Sequence, residues 1–372
     1  MSDAAPRLPV TRPFVESELK KFLTRVEARV EAYLSPRSDQ AEQADHLRHV
    51  ADRTRWLYYS ELQRQNPGAS VSLTRHENDL IEACVASHDI GKWIPRDELR
   101  TLLPGNQAGM EPTFRELKFT SNQSDLFLLG IRRKFALPQD GYSPEYDSAH
   151  HLVSAYMLVA DPELGFHQLD SDDQARLINM IVGHQFGSYF QETLMHLKQL
   201  DPEVTTGMLA DVARPDRVAG DLLATTFHDA DISDLLFVGS LERRPNREEI
   251  LHTGGLVKIL MINFTNLIFG APNAPRTLHE CLRSCQGTVV NVAKELLTPT
   301  AIEHGEKWRR QAHRFLAALR DNTVAGKFNA VLLAGEQAGP DRLTAVRTMT
   351  YMHAREFLKR PDDQVQDVPR EA

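Results

Sequence analysis

The chain has 372 residues, enough for two ordinary domains or one large one, and its 41% hydrophobic and 25% charged content is that of a soluble globular protein. A formal net charge of −8 argues against a large nucleic-acid surface. No apolar run approaches the ~20 residues of a membrane span, and the opening "MSDAAPRLPVTRPFVESELKK" lacks the apolar core of a signal peptide, so a cytoplasmic chain with no membrane partner is expected.

The pattern is helical nearly throughout. In "FVESELKKFLTRVEARVEAYL", Phe14, Leu19, Phe22, Leu23, Val26 and Val30 recur at helix spacing. "DQAEQADHLRHVADRTRWLYYSELQRQ" predicts a second long helix, stopped by Asn66-Pro67-Gly68. "TRHENDLIEACVASHDIGK" opens with Thr74 and Glu77 in capping-box spacing. Gly91 is expected to end it in a left-handed conformation, with His88 and Asp89 on its last turn.

Residues 95–148 carry Pro104, Gly105, Pro112, Pro138, Gly141 and Pro144, and read as an irregular excursion with one helix inside it, a candidate lid or binding loop. Its Arg132-Arg133-Lys134, like the later Arg309-Arg310, reads as a solvated helix face. Helices resume at "DSAHHLVSAYMLVA" and "SDDQARLINMIVGHQFG", with Ser171 and Gln174 as a second capping box, and then at "DRVAGDLLATTFHDADISDLLF". Four further helical stretches follow, at 247–270, 276–297, 306–336 and 340–358, before a polar tail, "RPDDQVQDVPREA", expected to fray. No strand and no internal repeat is evident, so the expected fold class is all-α.

The three cysteines form no disulfide framework. Cys84 sits in an apolar run. Cys281 and Cys285 are i,i+4 on an expected helix, but no further ligand stands near them, so packing is the better reading.

Histidines are numerous, fifteen in all, yet their placement carries more than their number. His46 and His49 lie i,i+3 on one helix, His88-Asp89 ends the next, His150-His151 begins a third, His184 sits late in a fourth, and Asp229 and Asp231 lie in a fifth. Taken singly, each is more often a hydrogen-bonded core residue than a ligand. Burying so many imidazoles and carboxylates costs several kcal/mol unless they are paired or metal-bound, and a shared metal centre would answer that cost for all of them together.

The order H…HD…H…H…D, with "SHDIGK" giving His88, Asp89, Gly91 and Lys92, resembles the HD superfamily of metal-dependent phosphohydrolases. His46 with Val50 looks like the first element. "HHLVSAYML" resembles the third, and its register fits His151 with Ser154-Ala155 better than His150. "INMIVGHQFGSY" supplies His184, and "DADISDLL" favours Asp231 over Asp229. The resemblance covers about residues 40–240. It implies an HD-type helical bundle with additional C-terminal helices: 1–39 as an N-terminal helix on the core, 40–245 as the metal-binding catalytic domain, and 246–372 as a helical extension with the polar tail.

The family's chemistry implies two divalent transition metal ions, of manganese, iron, cobalt, nickel or zinc, whose bound water attacks a phosphoester. Asp89 would bridge them, with His46, His88 and Asp231 on one side and His151 and His184 on the other. His49, His150 and Asp229 are the alternative or outer ligands. Lys92 is placed to meet a phosphate oxygen, and equally to complement a helix C-terminus; Arg96 is a weaker candidate of the same kind.

The implied substrate is a phosphorylated small molecule or a nucleotide, with nucleic acid less favoured and a homodimer left open. "GHQFGSYF" lacks the doubled His and the Gly-Tyr-Pro of the cyclic-di-GMP phosphodiesterases, and "HDIGKWIPRDEL" lacks the Pro-Phe-Gly-His run of the deoxynucleotide triphosphohydrolases. It also lacks the acidic pair that follows His-Asp in the stringent-response hydrolases. CRISPR-associated HD nucleases share the ligand set but usually stand beside a helicase, and no Walker motif occurs here. Two other readings share the ligand order: a mixed-valent di-iron oxygenase resembling inositol oxygenase, and a non-catalytic HD sensor or interaction module.

Overall fold

The structure is a computed structural model that describes residues 17–37, 39–136, 143–185, 198, 202–211, 218–243, 249–270, 275–334 and 338–360. Phe14, the Gly187–Phe190 stretch after His184 and nearly all of the polar tail lie outside the described residues. The helices in chain order are α1 Glu18–Leu34, α2 Gln40–Gln65, α3 Arg75–Ser87, α4 Ile90–Trp93, α5 Arg96–Leu102, α6 Glu111–Glu116, α7 Ser121–Ala136, α8 Pro144–Ala160, α9 Ser171–Gly183, α10 Thr206–Asp211 and α11 Leu222–Asp234. A hairpin, β1 Gly239–Arg243 with β2 Glu249–Thr253, leads into α12 Gly255–Phe269, α13 Leu278–Glu295, α14 Pro299–Leu319, α15 Asn322–Leu332 and α16 Gly339–Leu358. The fold is all-α apart from that two-stranded sheet.

The centre of the molecule is α2 lying along α11, with α3 and α14 beside them. On α2, His46, Val50, Arg53 and Leu57 recur at three- and four-residue steps and are all buried, which makes one stripe facing inward. The N-terminal end of that stripe is polar and the C-terminal end apolar. Around it, α1 buries Phe22, Leu23, Val26 and Val30 against α3, and Ser17 caps its first turn.

The capping box at the start of α3 is present: Glu77 N–H donates to Thr74 Oγ1 at 3.1 Å, and Thr74 N–H donates to Glu77 Oε2 at 2.7 Å. The second expected box is not. Asp170, one residue before Ser171, caps α9 by accepting from Asp172 N and Asp173 N, because a carboxylate at a helix N-terminus adds charge to the hydrogen bonds a serine would make.

The end of α3 also differs from expectation. Gly91 takes no left-handed conformation; the chain turns at Asp89 (φ −103°, ψ 2°) and continues into the single turn α4. Gly91 is there for closeness. A Cβ at that position would lie 2.5 Å from the His150 carbonyl oxygen and 2.8 Å from Ser154 N on α8. Gly91 N–H donates to Ser154 Oγ at 2.9 Å, and Tyr146 O–H donates to the Gly91 carbonyl. These contacts lock α4 to α8 in one register and so fix Asp89 opposite the face of α8 that carries His150.

The excursion expected over 95–148 is mostly helix. Phe114, Leu117, Leu126, Phe127 and Leu129 are buried there, and Phe114 and Phe127 pack their rings on Tyr156 of α8. Pro104 and Gly105 stand between α5 and α6, and Pro112 and Pro144 occupy the first turns of α6 and α8, whereas Pro138 and Gly141 lie outside the described residues. The helix expected over 247–270 begins as β2: its residues pair antiparallel with β1, Leu241 opposite Leu251. His252 bridges Asp45 Oδ1 at 2.8 Å and Glu242 Oε2 at 2.9 Å, pinning the hairpin to α2 one residue before His46. The stretch expected over 306–336 divides at Asp321, which caps α15 by accepting from Thr323 N and Val324 N.

The C-terminal helices are bonded directly to the core. Glu61 on α2 accepts Thr300 N at 2.7 Å, and Trp308 is fully buried. Among the described residues no helix is long and apolar enough to cross a membrane.

The close approach at Gly91 gives a direct test. Gly91→Ala should destabilise the fold by about 1–3 kcal/mol, the usual cost of overpacking, read as a lower midpoint in urea unfolding. An unchanged midpoint would mean α4 and α8 are not held in this register.

Candidate metal centre

Five helices deliver the polar cluster. His46 comes from α2, His88 and Asp89 from the end of α3, His150 from the first half of α8, His184 from the end of α9, and Asp231 from α11. Every one of these residues except Asp231 is buried, and the side chain of Asp231 is only 15% exposed.

The imidazoles share one arrangement. His88 Nδ1–H donates to the Val85 carbonyl at 2.8 Å, His150 Nδ1–H to Asp147 at 2.5 Å, and His184 Nδ1–H to Ile181 at 2.6 Å. A carbonyl only accepts, so the proton sits on Nδ1 and the Nε2 lone pair faces the cluster. His46 repeats this with a carboxylate: its Nδ1–H donates to Asp234 Oδ2 at 2.9 Å. Four Nε2 lone pairs therefore point into one space.

Asp89 divides that space. His46 Nε2 and His88 Nε2 lie 3.8 and 3.6 Å from its Oδ2, whereas His150 Nε2 and His184 Nε2 lie 3.2 and 3.7 Å from its Oδ1. Asp231 Oδ1 adds to the first side, 3.4 Å from His46 Nε2 and 3.6 Å from His88 Nε2. His150 Nε2 and His184 Nε2 are 3.2 Å apart. In neutral Nδ1–H tautomers these are acceptors facing acceptors, which repel unless a cation stands between them. His88 Nε2 and Asp89 Oδ1 are buried with no hydrogen-bond partner, as coordinating atoms would be in the absence of an ion. The triads His46, His88, Asp231 and His88, Asp89, His184 could each hold a metal ion.

The electrostatics agree. Burial opposes the charge on Asp89, but Lys92, His88 and His150 outweigh it and hold its carboxyl well below the usual range. Burial likewise opposes Asp231, whose carboxyl His46 and His88 hold well below that range. Burial pushes the His184 imidazole well below its ordinary value, so this ring stays neutral. His88 is raised, because Asp89 and Asp231 outweigh its burial. Lys92 Nζ donates to Asp89 Oδ2 at 2.8 Å while its side chain keeps 35% exposure, so it links the cluster to the solvent edge.

Other expected residues lie elsewhere or act indirectly. His151 is fully buried, with its ring centre 5.8 Å from that of His150 and 6.2 Å from that of His184. Successive helix residues diverge by about 100°, so only one of the pair can present Nε2 to Asp89, and the distances above belong to His150. Asp229 faces away and accepts from Leu297 N at 2.9 Å, Thr298 N at 2.7 Å and Thr298 Oγ1 at 2.6 Å, tethering the start of α14; its histidine neighbour is His228. His49 Nδ1 lies 3.6 Å from Asp234 Oδ1 with its ring edge-on to Phe237. Arg96 sits near Lys134, whose pKa is lowered to about 7 by burial first and then by Arg96 and Arg37. Cys281 and Cys285 are buried around Asn263, and burial pushes both thiols up to about 12, which disfavours the thiolates a metal would need.

Two supporting residues had not been picked out. Asp234 holds the His46 ring, and Arg53 holds Asp234: its Nη1 lies 3.4 Å from Asp234 Oδ1 and 3.4 Å from the Ala230 carbonyl. The Arg53 guanidinium also stands over the rings of Phe237 and Trp308, at 4.9 and 5.3 Å. The signal was available, since Asp234 follows Asp231 by three residues in "DISD" and Arg53 follows His46 by two helical turns.

Comparison of the chain with protein-family models, with curated proteins and with solved structures found no match. The case for the site therefore rests on its own geometry.

The two aspartates of α11 separate cleanly by experiment. Asp234→Asn should weaken metal affinity by about 10–100-fold, the usual effect of losing the partner of a ligating histidine. Asp229→Asn should leave metal affinity unchanged and cost about 2 kcal/mol of stability. Metal titration and urea unfolding of both variants read these effects, and the reverse pattern would contradict the assignment.

Proposed function

We propose that the chain is a metal-dependent phosphohydrolase, acting on a phosphorylated small molecule or a nucleotide, in which Asp89 would help to hold a centre of two divalent transition metal ions. The observation that carries this is the division of one buried carboxylate between two sets of inward Nε2 lone pairs. His46, His88 and Asp231 would hold one ion beside Oδ2, and His150 with His184 the other beside Oδ1. Three or more imidazoles favour manganese, iron, cobalt, nickel or zinc over magnesium. Ions in this position supply Lewis-acid polarisation of a phosphoryl oxygen and acidify a water for attack on phosphorus.

The protein's own groups supply the rest. The i−3 carbonyls and Asp234 orient the rings with Nε2 inward and raise the basicity of that atom as a ligand. Lys92, held by Asp89 and reaching solvent, is placed to meet a non-bridging phosphate oxygen. Phe227 packs its ring edge against His88 and His184 and keeps water from their far side. The HD-type order of ligands supports the same reading.

A metal-loaded preparation should hydrolyse a phosphate mono- or diester with manganese, cobalt or nickel, and Asp89→Ala should lose metal and at least ~100-fold in kcat. Oxygen uptake with iron and no phosphate release would favour the oxygenase chemistry instead. Full activity and full metal content in Asp89→Ala would sink the proposal.

Acid should also release the ions. His88 binds through an unprotonated Nε2, and Asp89 and Asp231 raise its pKa, so affinity is full above that raised range and falls as pH drops through it. His184, whose pKa burial lowers, takes up its proton only at lower pH. Metal titration across pH 5–8 reads this, and a pH-independent affinity would contradict it.

A further inference from the structure

The C-terminal extension brings one more cation to the cluster. Lys258 lies in the first turn of α12 and is part-buried. Its Nζ donates to Gln43 Oε1 at 3.3 Å, and Gln43 stands one turn before His46 on α2. The start of α12 presses on the same region: a Cβ on Gly255 would fall 2.9 Å from Asp234 Oδ2. Lys258 thus enters from the extension at the end of α2 that carries the metal-facing histidine.

Its setting is unfavourable in three ways. An ammonium in the first turn of a helix meets the positive end of the helix dipole. It is taken partly out of water, with only a neutral amide as partner. It also feels the ammonium of Lys92. Among the described residues no carboxylate lies within ion-pair distance of it, although Asp234, Asp89 and Asp231 act on it from further away. Burial, with Lys92, holds its pKa below the ordinary lysine value against the pull of those aspartates. Those more distant aspartates offset the costs only in part, whereas an anion lying over the cluster would offset them directly.

We propose that Lys258 is an anion-recognition residue of this site, and that with Lys92 it selects a doubly charged phosphoryl head, a phosphomonoester or the terminal phosphate of a nucleotide, over a singly charged diester. The inference rests on the phosphohydrolase reading and deepens it. Two ammonium groups beside two metal ions match a dianion better than a monoanion, and Lys258 makes the C-terminal helices part of the substrate pocket.

The test is inorganic phosphate titrated calorimetrically into manganese-loaded wild type, Lys258→Met and Lys258→Arg, with metal content and thermal midpoint measured on each. Lys258→Met should keep its manganese and its midpoint and bind phosphate about 10–100-fold more weakly, the size of one charge-assisted hydrogen bond, with Lys258→Arg restoring most of the loss. The ratio of kcat/KM for p-nitrophenyl phosphate to that for bis-p-nitrophenyl phosphate should fall in Lys258→Met. Unchanged phosphate affinity in that variant, or a wild type that takes up manganese but binds no phosphate, would overturn the role of Lys258 and leave the metal centre standing. A wild type that takes up no manganese would overturn the reading beneath it.

Discussion

Four imidazoles in this protein turn the same nitrogen inward, and everything around them is arranged to keep that so. Each gives its Nδ1–H to an acceptor outside the cluster, three to carbonyls one turn back and one to Asp234. The inward atoms are then lone pairs and carboxylate oxygens at 3.2–3.8 Å from one another. Such a set is self-repelling in a buried site, where screening by water is weak. It becomes stable when positive charge sits among the donors, and the buried groups could hold a metal ion.

That constraint reaches far into the fold. His46 depends on Asp234, which depends on Arg53, which in turn rests on Phe237 and on Trp308 of the C-terminal helices. Asp229, on the same helix as Asp231, anchors the start of α14 through three hydrogen bonds. On the opposite side, Gly91 lets α4 touch α8 and sets the distance from Asp89 to His150. The helices after residue 246 thus buttress the cluster, and the Lys258 proposal extends the same connection to the ligand.

Much of this was legible in the sequence, because helix periodicity and the His and Asp positions are local signals. The all-α class and the capping box at Thr74 could be read from spacing, and the set His46, His88, Asp89, His184 and Asp231 was what the family resemblance implied. What was missed depended on tertiary contacts. The choice between His150 and His151 turns on the rotation of α8, which the contact of its Ser154 with Gly91 of α4 fixes. The glycine itself looked like a helix terminator, since the sequence does not show what approaches it. The hairpin at 239–253 was hidden because its strands are short and tied down by His252 and Asp45, two residues far apart in the chain. Prolines over 95–148 suggested a loop, and only the burial of Phe114 and Phe127 against Tyr156 shows that part of it to be core.

The most direct test is a crystal of the protein soaked with manganese and measured at an energy where manganese scatters anomalously. The account predicts anomalous peaks on either side of Asp89, one beside His46, His88 and Asp231 and one beside His150 and His184, within bonding distance of their Nε2 atoms. An absence of any peak there, with the four rings joined to the aspartates by protons alone, would contradict it.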